Sequence, residues 1–126
     1  FERLCELIYK HGNIHLIADE LMMVYRTSNG GGSKPTTAHH LKILTNGRKK
    51  GVGMTGATQR PVNVPLEGVS EAEHIFTFKL KIPDDRDRMA KVCGPAVDDA
   101  LNLDRWWYYY DHDDLDRPHK CTPLDL

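Results

Sequence analysis

At 126 residues the chain is long enough for one hydrophobic core and too short for two. Its 40% apolar and 28% charged residues exclude a disordered or low-complexity composition. Seventeen basic against eighteen acidic residues leave a net charge of -1, which excludes the basic excess that by itself marks a nucleic-acid binder, so any DNA contact must come from a local patch.

Leu4, Leu7 and Ile8 recur at helical spacing through residues 2 to 11, and Gly12 stands where a left-handed cap is expected. Ile14 to Ala18 follows as a buried parallel strand that ends abruptly in Asp19-Glu20. RTSNGGGSKP, residues 26 to 35, reads as a mobile surface loop. Thr36 or Thr37 then caps a helix with Ala38, Leu41 and Leu44 on one face, closed by Arg48-Lys49-Lys50 before Gly51. Val52 to Thr58 is a small-residue strand whose glycines imply close packing, followed by the turn Gln59-Arg60-Pro61.

Pro65 can open a short helix through Glu73, and His74 to Leu80 alternates as a half-buried strand near a sheet edge. Asp84 or Asp85 caps the next helix, with Met89, Val92 and Cys93 facing the core and Gly94 ending it. A short helix near 96 to 101 and an aromatic strand, Arg105 to Tyr110, complete an ordered part spanning residues 1–111. Residues 112–126 read as an irregular tail. Helices alternating with strands predict an α/β fold with a mainly parallel sheet flanked by helices, in which ligands sit beyond the carboxyl ends of the strands. Asp19, Glu20, Gln59 and Arg60 fall on that edge.

A buried strand ending in two carboxylates suits a nucleotide hydrolase: the first acid holds Mg²⁺ and the second orients or deprotonates the attacking water. Asp19 and Glu20 also fit the plainer role of acids at the start of a helix. An amide at Gln59 can bond a γ-phosphate oxygen and the attacking water, or serve as an ordinary polar turn before proline.

The succession IHLIADE, GRKKG, GMTGATQRP and VPLEGVSEAEHIFTFKL resembles the second half of the motor domain in the FtsK/HerA class of P-loop ATPases, over roughly residues 3 to 94. That class includes chromosome translocases and viral genome-packaging ATPases. The resemblance implies a RecA-like, three-layer domain incomplete at its N-terminal side. It also implies ATP and Mg²⁺ as cofactors, double-stranded DNA as partner, and a homo-oligomeric ring, usually hexameric. By position Asp19 resembles the Mg²⁺-binding Walker B acid, Glu20 the catalytic glutamate and Gln59 the phosphate sensor. Arg48 resembles the arginine that enters the neighbouring subunit's site, with Arg60 its competitor. Both arginines have plain alternatives, Arg48 as compensation of a helix C-terminus.

The sequence has no G-x-x-x-x-G-K-[ST]. In Asn29-Gly30-Gly31-Gly32-Ser33-Lys34-Pro35-Thr36 a serine precedes the lysine and a proline follows it, which removes an N–H from any phosphate cradle. The phosphate loop is therefore expected outside this chain, the isolated chain is expected to be inactive, and Phe1, which runs directly into a helical pattern, suggests a piece of a longer protein. The alternative is a RecA-like module without a P-loop, used for binding or assembly. A metal-dependent nuclease is disfavoured for want of further aligned carboxylates.

His39-His40 and Asp111 to Asp114 lack recognised ligand spacing, so no metal beyond Mg²⁺ is expected. Trp106 to Tyr110 suit packing better than base stacking. Cys5, Cys93 and Cys121 are odd in number without a Cys-x-x-Cys pair and are read as reduced thiols. No apolar run reaches the roughly 18 residues of a membrane span, and FERLCELIYKH lacks a signal-peptide core, so a cytoplasmic or virion-associated location is expected.

Overall fold

The computed structural model describes residues 2–21 and 38–123, and these divide into a unit ending at Glu71 and a unit beginning at Ala72. The glycine-rich stretch 26 to 35 and the capping threonines Thr36 and Thr37 lie outside the described residues.

In the first unit, helix α1 (Glu2–His11) is closed by Gly12 at φ +70°, as its position predicts. Strand β1 (His15–Ala18) pairs in parallel with β2 (Gly53–Gly56), with His15 opposite Gly53 and Ala18 opposite Gly56. The two glycines leave space for close neighbours. A Cβ at Gly53 would stand 2.6 Å from His15 Nδ1, and one at Gly56 would stand 2.8 Å from Leu21 Cγ. Strand β1 is not the buried strand its apolar run predicts. His15 is exposed and Ile17 is 79% exposed, while Leu16 and Ala18 are half-buried. Among the described residues β1 pairs with β2 in a two-stranded sheet, and its alternating burial leaves one face uncovered.

Helix α2 (Ala38–Asn46) packs on α1 and gives way to a 3₁₀ turn, Gly47–Lys50, before the basic residues are reached. Gly51 closes that turn at φ +66°. Leu44 is half-buried, but Ile43 is the buried residue of α2; the side chains at 38 and 41 lie outside the description. Cys5, Ile8, Ile43 and Val52 form the core, covered by Tyr9, Leu16 and Met54. Glu2 Oε1 accepts both the His39 amide at 3.0 Å and a contact from His39 Nδ1 at 2.5 Å, joining α1 to the start of α2. A 3₁₀ turn, Pro61–Asn63, and helix α3 (Leu66–Ser70), shorter than its predicted extent, follow.

The second unit holds a separate antiparallel sheet in the order β3 (His74–Thr77), β4 (Tyr108–His112), β5 (His119–Cys121). Among the described strands β3 lies at a sheet edge, as expected, but it ends at Thr77, short of the expected Leu80. Strand β4 begins three residues later than expected because Trp106 adopts φ +69°, incompatible with an extended strand. Strand β5 lies in the stretch read as an irregular tail.

Helix α4 (Pro83–Cys93) starts on proline rather than on an aspartate cap. The fixed φ of Pro83 suits the first helical position, and its missing N–H is one that needs no intrahelical partner. Asp85 falls inside the first turn and is 2% exposed. Met89 and Cys93 are buried and Val92 half-buried; Val97 and Ala100 of the 3₁₀ helix Pro95–Asn102, with Leu103, are fully buried. Burial of Met89, Val97 and Leu103 contributes about 1.5–3 kcal/mol each.

Candidate functional site

The parallel pairing of β1 and β2 decides which polar residues meet. Beyond Ala18 and Gly56 both chains leave the sheet on the same edge, and the pairing continues for one step: Ala57 N donates to Ala18 O at 3.0 Å and Leu21 N to Ala57 O at 2.7 Å. Between these two bonds Asp19 and Glu20 form a tight turn. Glu20 takes φ +52°, a left-handed conformation that costs a residue with a Cβ about 1–2 kcal/mol. Its amide donates to Asp19 Oδ1 at 2.9 Å, which helps to hold the turn.

On the neighbouring strand Thr58 Oγ1 accepts the Arg60 amide at 3.2 Å, a hydroxyl turn that sets the direction of Gln59. Gln59 Nε2 donates to Glu20 Oε1 at 2.7 Å. Residues 39 apart in sequence are thereby joined at the carboxyl ends of two parallel strands, where α/β sheets bind ligands. Asp19 and Gln59 are exposed and Glu20 is half-buried, so the carboxylates are both fixed and accessible.

Of the predicted residues, Asp19, Glu20, Gln59 and Arg60 share this edge. Arg48 does not. Its 3₁₀ turn precedes β2 and is tied to the amino end of β1 by Asn13 N to Lys50 O at 2.8 Å, so the four-residue strands separate it from the acidic pair by about 10 Å or more. Thr58 was inside the quoted motif without a role; its hydroxyl two residues before Arg60 is the signal for the turn. A second polar contact, His15 Nε2 to Thr55 Oγ1 at 2.8 Å, also spans the two strands.

Comparison with solved structures finds a similar fold in a viral protein, the genome packaging NTPase B204 of Sulfolobus turreted icosahedral virus 2. Its complex with ATP-gammaS aligns at a TM-score of 0.77 and 19% identity, over 98% of this chain and 61% of the other. The chain has the fold of the corresponding part of this NTPase. The AMPPCP complex aligns at 0.76, and B204 from Sulfolobus Turreted Icosahedral Virus, described as a DNA-packaging ATPase, at 0.73 with 18% identity. The chain thus spans 61%, 63% and 58% of the three structures. At this identity the likeness establishes the fold, a partial RecA-like α/β architecture. No family model and no curated protein matches the sequence. Among the described residues no helix is long and apolar enough to cross a membrane.

Proposed function

We propose that the chain is the water-activating and phosphate-sensing part of an ATP-driven motor that moves or packages DNA, with the Walker A loop supplied from outside the chain. The observation that carries the reading is the Glu20–Gln59 hydrogen bond at the carboxyl edge of two parallel strands. In this reading the Glu20 carboxylate accepts a proton from the attacking water, and Gln59 keeps that carboxylate oriented until a γ-phosphate draws its amide away. Loss of the γ-phosphate returns Gln59 to Glu20, so one amide reports the state of the nucleotide.

Asp19 fits a magnesium role. One carboxylate oxygen accepts the Glu20 amide, which fixes the side chain and leaves the other as a hard oxygen donor. Mg²⁺ there would neutralise charge on the phosphates. Arg48, at the far end of the strands, suits an arginine that acts on the next subunit of a homo-oligomeric ring, usually hexameric, around double-stranded DNA; Arg60 is the competing candidate. A cytoplasmic or virion-associated setting follows. The exposed Ile17 of β1 supports a further layer being packed over that face of the sheet in the parent protein.

The test is Glu20→Gln in a parent carrying a Walker A motif. Nucleotide binding should persist and turnover should vanish; unchanged turnover overturns the assignment. The isolated chain should not hydrolyse ATP.

A further inference from the structure

Strand β3 begins at His74 and β4 ends at His112, and antiparallel register sets these two residues directly opposite each other. Their ring centroids are 4.6 Å apart. Glu73, in the bend just before β3, brings a carboxylate to the same end, so that one ligand atom from each of Glu73, His74 and His112 lies within 4.8 Å of the other two.

The rings are held by their Nδ1 atoms. His74 Nδ1 lies 3.0 Å from the Tyr110 hydroxyl. His112 Nδ1 accepts the Asp114 amide at 3.0 Å and stands 3.6 Å from the Asp114 carboxylate. Engagement of Nδ1 on each ring points to Nε2 as the nitrogen for an ion. A metal-bound imidazole is usually held this way, its second nitrogen engaged by a carboxylate, a backbone group or a water that fixes tautomer and orientation.

We propose that Glu73, His74 and His112 form a binding site for Zn²⁺, with Tyr110 and Asp114 as positioning residues. Two imidazoles and a carboxylate are a ligand set that zinc accepts, with the fourth position left for water. Magnesium and calcium, which prefer all-oxygen shells, are poorly matched. Tetrahedral bonds of about 2.0–2.2 Å hold ligand atoms about 3.4 Å apart, so the ion draws the three side chains inward by about an ångström. Glu73 and His74 are exposed and can make that movement without disturbing the core. On binding, His112 Nδ1 becomes a donor, and the Asp114 carboxylate replaces the Asp114 amide as its partner. The ion then pins the first residue of β3 to the last residue of β4.

Sequence spacing does not reveal this set, because Glu73 and His74 lie nearly forty residues from His112 and only strand register unites them. The proposed nucleotide residues all belong to the other unit.

The experiment titrates the full chain with Zn²⁺ alone by calorimetry, and with Co²⁺ while recording visible absorption. One equivalent should bind, with a Co²⁺ ligand-field band. His74→Gln and His112→Gln should each weaken binding at least tenfold and abolish the band, while Asp114→Asn and Tyr110→Phe should weaken it by about tenfold or more. His119→Gln should change nothing. In case a histidine variant does not fold, ring NMR signals of the wild type provide an independent readout: Zn²⁺ should shift His74 and His112 first. Absence of saturable binding, full binding in both folded histidine variants, or shifts confined to other histidines would overturn the proposal.

Discussion

Replacing Gly12 with alanine tests the joint on which the β1–β2 register depends. Gly12 sits at φ +70°, where an L side chain costs about 1–2 kcal/mol. The new Cβ would stand 2.6 Å from the Lys50 carbonyl oxygen. That atom is backbone and cannot rotate aside, and it also accepts the Asn13 amide at 2.8 Å. Relieving the clash lengthens or breaks this bond, worth about 0.5–1.5 kcal/mol, so the whole loss should be about 1.5–3.5 kcal/mol. With a urea m-value of about 1–3 kcal/mol/M, the denaturation midpoint followed by circular dichroism should fall by about 0.5–3.5 M. Gly68→Ala, inside α3, should instead gain about 0.5–1 kcal/mol, because there glycine only adds freedom to the unfolded chain. A loss below about 1 kcal/mol for Gly12→Ala would refute the claim that the Lys50 carbonyl is held against this turn.

Burial, reinforced by the charge and acceptor oxygen of Asp111, pushes the Cys93 thiol from 9.0 up to about 12. Between about pH 9 and pH 12 the folded chain therefore keeps a proton that the unfolded chain loses, and stability should fall as pH rises by up to about 1.4 kcal/mol per unit from this group. Cys93→Ala should flatten that slope in urea titrations at pH 8, 9 and 10, and an equal slope in both proteins contradicts the assignment. In the parent motor, Gln59→Ala should lower turnover by about tenfold or more while sparing nucleotide binding, as expected for loss of a group that orients water; equal turnover removes Gln59 from the mechanism. Arg48→Ala subunits mixed into wild-type rings should depress hydrolysis by their neighbours, and full activity of an all-mutant ring would exclude the trans role.

The candidate site was legible because its signals are local. A hydrophobic run ending in Asp19-Glu20 and a small-residue strand ending in Thr58-Gln59-Arg60 are each contained in a few consecutive residues. Their meeting was not local: the 2.7 Å bond between Gln59 and Glu20 depends on Ala18 standing opposite Gly56. A shift of one residue would turn the side chains to the other face. The burial of β1 was misread for a related reason. An apolar run shows that a strand can be buried, whereas its exposure depends on what packs over each face, and the face that carries His15 and Ile17 is left in solvent.

Local chemistry also misled at α4. Asp84 and Asp85 look like caps, but Pro83 already has the backbone angle of a first helical residue, and the helix begins there. The three-residue strand β5 carries no alternation of its own and exists because β4 offers it a paired edge.

The order of helices and strands, the left-handed cap at Gly12 and the identity of the polar residues at the strand ends were determined by the sequence itself, since each rests on interactions within one turn of helix or a few residues of strand. The alternation of helices and strands also anticipated a parallel pairing of β1 with β2; tertiary structure alone decided its register and that β3, β4 and β5 form a separate antiparallel sheet. It alone brought Glu20 to Gln59 and His74 to His112. Strand register is set by packing and hydrogen bonding between segments about forty residues apart, and the chemistry of either segment alone does not contain it.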